Sequence, residues 1–136
     1  MSILVDTSVW SLALRRNQLD SSPHVQELVK LIKNMQVQVI GPIRQEILSG
    51  IKTETQFVMV REQLRPFPDL PLTADDFEYA AELFNILRAR GIQGSNTDFL
   101  ICAVSLRHSM PIFTTDNDFT LFALHIPIKL HAMNLG

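Results

Sequence analysis

The chain begins with a short apolar run that ends at a carboxylate, and this feature constrains the fold more than any other. Ile3-Leu4-Val5 suits a strand buried on both faces, and Asp6, Thr7 and Ser8 follow it directly. In open α/β sheets, ligands bind beyond the carboxyl ends of the parallel strands, so an acid placed there faces a crevice that a substrate can reach. Asp-Thr-Ser is also a common helix start, and capping alone would explain these residue types. Acids at similar places later in the chain favour a functional site.

Length and composition predict one globular domain over residues 1–136. The chain is 46% hydrophobic and 19% charged, which excludes a disordered protein, and no apolar run is long enough to cross a bilayer. The N-terminus has no export signal and Cys102 is the single cysteine, so we expect a cytoplasmic protein with no disulfide. The net charge of −2 argues against nucleic-acid binding by a large basic surface alone. It leaves a nuclease possible, because bound metal ions reverse the local polarity of a carboxylate cluster.

Apolar periodicity predicts strands that alternate with helices. The strands are expected at 3–5, 37–40, 111–115 and 126–130. The last is placed at a sheet edge, because Pro127 lacks a ladder donor. The helices are expected at 8–16, from Pro23 to about Asn34, from Pro42 to about Ile51, after the capping residue Thr53, at 73–91, and after Ser95. This succession is typical of parallel crossover connections in an α/β fold.

The helix predicted at 73–91 is interpreted as scaffold. Its apolar stripe is expected to comprise Phe77, Ala80, Ala81, Phe84 and Leu87. Its acids are expected in the first turn or on the outer face: Asp75, Asp76, Glu78 and Glu82. The histidines follow no metal-ligand spacing, so we assign them no special role.

Four acids stand where they could face one crevice, at two strand ends and on two helices: Asp6, Glu46, Asp98 and Asp116. For Glu46 a solvated helix position, and for Asp98 a capping pair with Ser95, are also sufficient explanations. Carboxylates at close quarters need a counter-charge, and oxygen ligands without Cys or His favour Mg²⁺ or Mn²⁺ over zinc. Such ions activate water for phosphodiester cleavage. Ser8 and Thr114 are secondary candidates that could orient a carboxylate or a metal-bound water.

Four segments of the chain together resemble the PIN-domain ribonucleases, and within them the VapC-type toxins of bacterial toxin–antitoxin pairs. The segments are residues 3–8, 44–50, 96–103 and 114–119, in the order and at the separations of that family. The resemblance covers essentially the whole chain. It implies a three-layer α/β/α fold with a central, mainly parallel sheet, and Mg²⁺- or Mn²⁺-dependent cleavage of RNA, with tRNA or rRNA as plausible substrates.

The resemblance also implies residue roles and partners. The family's acidic quartet maps onto Asp6, Glu46, Asp98 and Asp116 as catalytic and metal-binding residues, and Asp118 matches a position that is only sometimes acidic. Similar proteins are commonly homodimers. They are inhibited by a VapB-type antitoxin, which binds operator DNA, so contact with DNA is expected only through the antitoxin.

Basic residues are the candidates for a surface that holds RNA. The basic candidates for phosphate contact are Arg15, Arg16, Arg44, Lys52, Arg88 and Arg90, each of which is also compatible with a merely solvated charge. Two other functions stay open: a PIN-type nuclease of RNA processing or DNA ends without a toxin role, and a non-catalytic PIN-like binding module. A phosphoacceptor receiver domain fits less well, and Ser8 disfavours an Asp-x-Asp phosphatase.

Overall fold

The computed structural model describes residues 1–14 and 22–133. In chain order the elements are β1 (Ile3–Val5), α1 (Thr7–Leu14), α2 (Pro23–Lys33), β2 (Val37–Gln38), α3 (Gly41–Leu48), α4 (Glu54–Leu64), α5 (Ala74–Ala89), α6 (Asn96–His108), β3 (Ile112–Phe113) and α7 (Asp118–Ala123). The fold is the expected three-layer α/β/α arrangement around a parallel sheet. None of the described helices is both long and apolar enough to cross a membrane.

The sheet has the order β2-β1-β3, and both pairings are parallel. Leu4 of β1 pairs with Gln38 on one side and with Ile112 on the other. All three residues of β1 are buried, as the apolar run predicts for a central strand. Because the strands are parallel, the chain that leaves β1 at Asp6 and the chain that leaves β3 at Thr114 emerge at the same edge.

Strand β1 has the predicted bounds, whereas β2 and β3 are shorter than the sequence predicts. Val39 forms a single bridge to Asp69, beyond the end of β2. The strand expected at 126–130 is wrong, since only Leu130 bridges to Ile112 there. Pro127 cannot donate to a ladder, which limits this segment to that one contact. The short helix α7 was not predicted.

The capping residues predicted from the sequence are confirmed at the starts of α4 and α6. Thr53 accepts a hydrogen bond from the Gln56 amide at the start of α4, and Ser95 and Asp98 form a reciprocal capping box at the start of α6. Helix α6 is apolar on nearly all sides, and Phe99 to Ser105 are all buried. It packs against α5 and β3, so the core holds the first turn of α6, and with it Asp98, in a fixed place.

The predicted face of α5 is partly wrong. Phe77 is 52% exposed and Ala81 is also exposed, whereas Leu83, which was not predicted, is buried. Asp76 lies in the first turn of α5, as predicted, but it is fully buried, and it pairs with Arg107 and His108 at the end of α6. The helix therefore turns a carboxylate inward, because the Arg107 guanidinium of α6 neutralises it there and the His108 ring forms a hydrogen bond with it.

Candidate active site

The site is organised around Asp6, the first residue after β1. The residue is only 6% exposed, and its backbone amide donates to the Phe113 carbonyl of β3 at 2.8 Å. Its backbone carbonyl accepts the first hydrogen bond of α1, from Val9. Asp6 is thus held between the end of a central strand and the start of a helix, and its carboxylate has little freedom to move.

Two hydroxyls orient the Asp6 carboxylate. Ser8 Oγ donates to Oδ2 at 2.9 Å, and Thr114 Oγ1 donates to the same oxygen at 2.8 Å. The two hydroxyl oxygens lie 3.3 Å apart. This is the carboxylate-orienting role expected for Ser8 and Thr114, although their part in catalysis stays a prediction.

Backbone amides beyond β3 fix the two hydroxyls in turn. The Thr115 amide donates to Ser8 Oγ at 3.0 Å, and the Asp116 amide donates to Thr114 Oγ1 at 2.9 Å. Each hydroxyl therefore accepts from an amide and directs its own hydrogen toward Asp6. Sequence reasoning did not identify these amides, since a backbone donor leaves no trace in residue type.

The segment after β3 brings two further acids to this edge. Asp116 is half-buried, and its Oδ1 accepts from the amide of Asp118 at 2.9 Å, in the first turn of α7. Asp118 itself is exposed. The Asp116 amide is therefore linked to the Asp6 carboxylate through the Thr114 hydroxyl, and Asp118 is linked to the Asp116 carboxylate through its own backbone amide.

Asp98 approaches from the other side, on α6. Its Oδ2 accepts from the Ser95 amide at 3.0 Å, in the capping box. Burial raises the pKa of the Cys102 thiol far above its usual value, and the charges of Asp98 and Asp6 raise it further. The charges of both carboxylates therefore act on the same buried thiol, one helical turn into α6.

The structure does not connect Glu46 with the other acids. It is exposed near the end of α3, and it forms no hydrogen bond or ion pair with any described residue. Within residues 1–14 and 22–133, no three Asp, Glu, His or Cys side chains lie close enough together to bind one metal ion. Asp6 and Asp116 are brought to one edge of the sheet, and Asp98, whose charge acts on the same thiol as that of Asp6, lies at the start of α6.

The basic residues proposed for phosphate contact have different surroundings. Arg44 forms an ion pair with Asp69 at 3.0 Å and also donates to the carbonyls of Leu64 and Phe67. It therefore holds the segment between α4 and α5 against α3. Arg90 donates to the His125 carbonyl at 3.4 Å. Lys52 is exposed, Arg88 lies over the Phe84 ring, and Arg15 and Arg16 lie outside the described residues.

Comparison with known proteins defines the class to which this fold and site belong. The family model of the PIN domain matches residues 3–123, and the chain belongs to the PIN-domain family. Two curated relatives are a VapC ribonuclease of Mycobacterium bovis and ribonuclease VapC11 of Mycobacterium tuberculosis. Each is 30% identical over 123 residues, which span 89% of this chain and 91% of the relative. The predicted resemblance to the VapC-type members of the family is confirmed.

Solved structures support the same fold. VapBC2 from Rickettsia felis, bound to a DNA fragment from its promoter, matches with a TM-score of 0.77 and 18% identity over 96% of this chain and 98% of that one. FitAcB from Neisseria gonorrhoeae matches with a TM-score of 0.74 and 19% identity over 96% of both chains. A VapBC-family member from Mycobacterium tuberculosis, VapBC-5, matches at 0.69 and 22% identity over 95% and 96%.

Proposed function

We propose that this chain is a metal-dependent endoribonuclease and the toxin of a VapBC-type pair. The observation that carries the proposal is the state of Asp6. It is a buried carboxylate at the carboxyl edge of the sheet, oriented by two neutral hydroxyls and paired with no cation among the described residues. A buried charge without a partner is costly, so a carboxylate that is held this firmly suits a cation supplied from outside.

The donor set fits Mg²⁺ or Mn²⁺. Carboxylate and hydroxyl oxygens are hard ligands, and Mg²⁺ typically binds one or two protein carboxylates while it keeps waters and phosphate oxygens. Asp6 and Asp98 would supply those carboxylates, which agrees with the lack of a three-residue cage in the described part of the chain. Asp116 and Glu46 remain predicted ligands. A bound divalent ion would supply Lewis-acid stabilisation of the phosphodiester and a more acidic water.

The chain's own residues orient the reaction. Asp6 Oδ2 is occupied by the Ser8 and Thr114 hydroxyls, whereas Oδ1 has no hydrogen-bond donor among the described residues. Asp98 is in the same situation, because the Ser95 amide takes only Oδ2. Each carboxylate thus presents one uncommitted oxygen that can bind a cation or accept a hydrogen bond from the attacking water.

The same proposal includes the partners and the compartment. The names of the relatives and neighbours favour a toxin over a nuclease of general RNA processing. We therefore propose a VapB-type antitoxin as partner, a homodimer as the assembly, and a cytoplasmic RNA, tRNA or rRNA, as substrate. Contact with DNA would come through the antitoxin. A small reading frame adjacent to this gene is the expected antitoxin gene, and its co-expression with this chain, followed by size-exclusion chromatography, tests the partner and the dimer.

The nuclease is tested with a labelled total-RNA pool and purified protein freed of antitoxin. Wild type, Asp6→Asn and Asp98→Asn are compared with Mg²⁺, Mn²⁺ or EDTA, and Asp75→Asn serves as the control for loss of an exposed acid. Discrete fragments that need metal, form with Asp75→Asn and vanish with the other two variants are expected. If wild type cuts nothing that Asp6→Asn and Asp98→Asn do not also cut, the protein is a binding module and the nuclease proposal fails.

A further inference from the structure

A small cavity lies between α5 and the first turn of α6, beside the proposed site. Its volume is about 230 Å³, and it is lined by Phe84, Arg88, Ile92, Gln93, Gly94 and Phe99. Sites for drug-sized ligands run from about 300 to 1,000 Å³, so this cavity suits a smaller group. Its lining combines aromatic rings, a guanidinium and a side-chain amide, and it contains no acid.

The cavity presents two planar groups. The guanidinium carbon of Arg88 lies 5.8 Å from the centroid of the Phe84 ring. Phe84 is half-buried and packs edge-on against Phe99, with ring centroids 5.5 Å apart and an interplanar angle of 81°. Because Phe99 is only 1% exposed, the core holds Phe84 in place. A ring and a guanidinium in this arrangement are the groups on which proteins stack unpaired RNA bases.

The floor and rim of the cavity have different roles. A Cβ at Gly94 would approach atoms of Phe99 and Phe122 to 2.9 Å, so only a residue without a side chain lets the backbone lie this close to the rings. Gln93, the preceding residue, is exposed at the rim. Its amide carries both donors and an acceptor, which is what hydrogen bonding to the edge of a base requires.

The cavity adjoins the proposed catalytic acids through the chain itself. Gly94 directly precedes the capping residue Ser95, and Phe99 directly follows Asp98. Arg88 is exposed at the same opening, where its charge is complementary to a phosphate. A base inserted here would therefore lie at the end of α6 that carries Asp98.

We propose that this cavity binds one unpaired nucleobase of the RNA substrate, with Phe84 and Arg88 as stacking residues and Gln93 as the residue that selects the base. The inference rests on the proposed function, since it names a substrate subsite beside the same acids. It would make cleavage depend on base identity at one fixed position relative to the cut.

The first experiment measures base preference. Wild type, Gln93→Ala, Phe84→Leu and Phe84→Tyr are given a single-stranded RNA library with random positions, and the cut ends are sequenced. Wild type is expected to prefer a base at one position, and Gln93→Ala to lose that preference while it still cuts. Phe84→Leu should lower kcat/KM by about 5- to 100-fold, mainly through KM, whereas Phe84→Tyr keeps the ring and should retain most activity. The kcat/KM of Arg88→Gln is compared with that of Arg90→Gln, the matched control, which removes the same charge outside the cavity.

The second experiment measures binding without cleavage. AMP, GMP, CMP and UMP are titrated separately into ¹⁵N-labelled protein without metal. Saturable shifts are expected at the Gln93 side-chain amide and the Gly94 backbone amide, larger for the base preferred in cleavage, and absent in Phe84→Leu. Both readouts are interpreted only for variants whose thermal unfolding matches that of wild type. Gln93→Ala keeps the test valid if Phe84→Leu does not fold, because Gln93 is exposed.

The outcomes separate this inference from the nuclease proposal. Metal-dependent cleavage with unchanged base preference in Gln93→Ala and Phe84→Leu, and no shifts at the cavity, overturns the subsite and leaves the nuclease intact. Shifts at the cavity without any cleavage by wild type leave a base-binding site and remove the nuclease. Tight binding of a monophosphate with no effect of Gln93→Ala on cleavage assigns the cavity to a free nucleotide, which also contradicts the inference.

Discussion

Two buried aspartates in this protein have opposite surroundings. Asp76, at the start of α5, is fully buried and pairs with Arg107 and with His108, whose Nε2 lies 3.1 Å from the carboxylate. Asp6 is almost as buried, but its carboxylate receives only the neutral Ser8 and Thr114 hydroxyls. The Arg107 guanidinium balances the charge of Asp76, whereas no cation of the described residues balances that of Asp6. Burial of a carboxylate alone therefore does not indicate function, and the proposed role of Asp6 rests on its burial without a counter-charge.

The largest expected effect is that of Asp6→Asn on activity. The substitution should lower RNA cleavage by more than about 100-fold, since even loss of a residue that only orients a metal ligand costs about 10- to 100-fold. The free energy of unfolding should stay the same or rise by about 1 kcal/mol, because an unbalanced buried charge is removed while an acceptor for the hydroxyls remains. Single-turnover cleavage and urea unfolding of the same preparations check both. A clear loss of stability would place Asp6 with Asp76 as a structural acid.

Asp76→Asn should have the reverse effect. Stability should fall by about 2–3 kcal/mol, less than for a fully buried pair because Arg107 and His108 are partly solvated. Cleavage per folded molecule should be unchanged. Urea unfolding is compared with that of Asp75→Asn, whose exposed carboxylate lies 3.7 Å from Arg107 and should matter little. Equal stability of the two variants would contradict the assigned role of the buried pair.

The hydroxyls around Asp6 should have a smaller effect on activity. Ser8→Ala and Thr114→Val each remove one donor to Oδ2, and each is expected to lower cleavage by about 10- to 100-fold. Ser8→Thr and Thr114→Ser retain the hydroxyl and serve as matched controls that should recover most of the activity. Full activity in the two hydroxyl-free variants would show that Asp6 needs no orientation by these groups.

The pH dependence of the free energy of unfolding should also distinguish Asp76 from Asp6, with a smaller effect than the substitutions above. Burial alone raises the pKa of Asp76, but hydrogen bonds from Thr73, Arg107 and His108, with the Arg107 charge, bring it below its usual value of 3.8. A group with a lowered folded pKa stabilises above its unfolded pKa and loses this effect as the pH falls through the folded pKa. The stability difference between wild type and Asp76→Asn should therefore narrow below pH 3.8. Urea unfolding from about pH 5 to pH 2 measures it, and a constant difference would contradict the lowered pKa.

The sequence was sufficient where a feature is encoded by adjacent residues. The buried strand before Asp6, and the capping box of Ser95 and Asp98, follow from local pattern and from burial of the same segment. The burial of Asp76 was not predicted, because its partner Arg107 lies 31 residues away, on another helix. Local pattern places this acid in the first turn of α5, but it cannot show that a tertiary ion pair buries it there.

In the site, too, local sequence predicts some features, and tertiary contacts determine the others. The hydroxyls of Ser8 and Thr114 were predicted because they flank strand-end acids, but the amides that fix them depend on how the chain turns after β3. The position of Glu46 relative to the other acids could not be read from periodicity, and the structure leaves it exposed on α3. The segment at 126–130 has the pattern of a strand, yet Pro127 and its edge position leave it one bridge.

The most direct test of the account is calorimetric titration of Mn²⁺ into wild type, Asp6→Asn and Asp76→Asn, without RNA. The unbalanced charge at Asp6 predicts that wild type and Asp76→Asn bind the ion with similar affinity and that Asp6→Asn loses binding by at least about tenfold. If Asp6→Asn binds Mn²⁺ as wild type does, or if Asp76→Asn loses the ion while it stays folded, the assignment of the open charge balance to Asp6 is wrong.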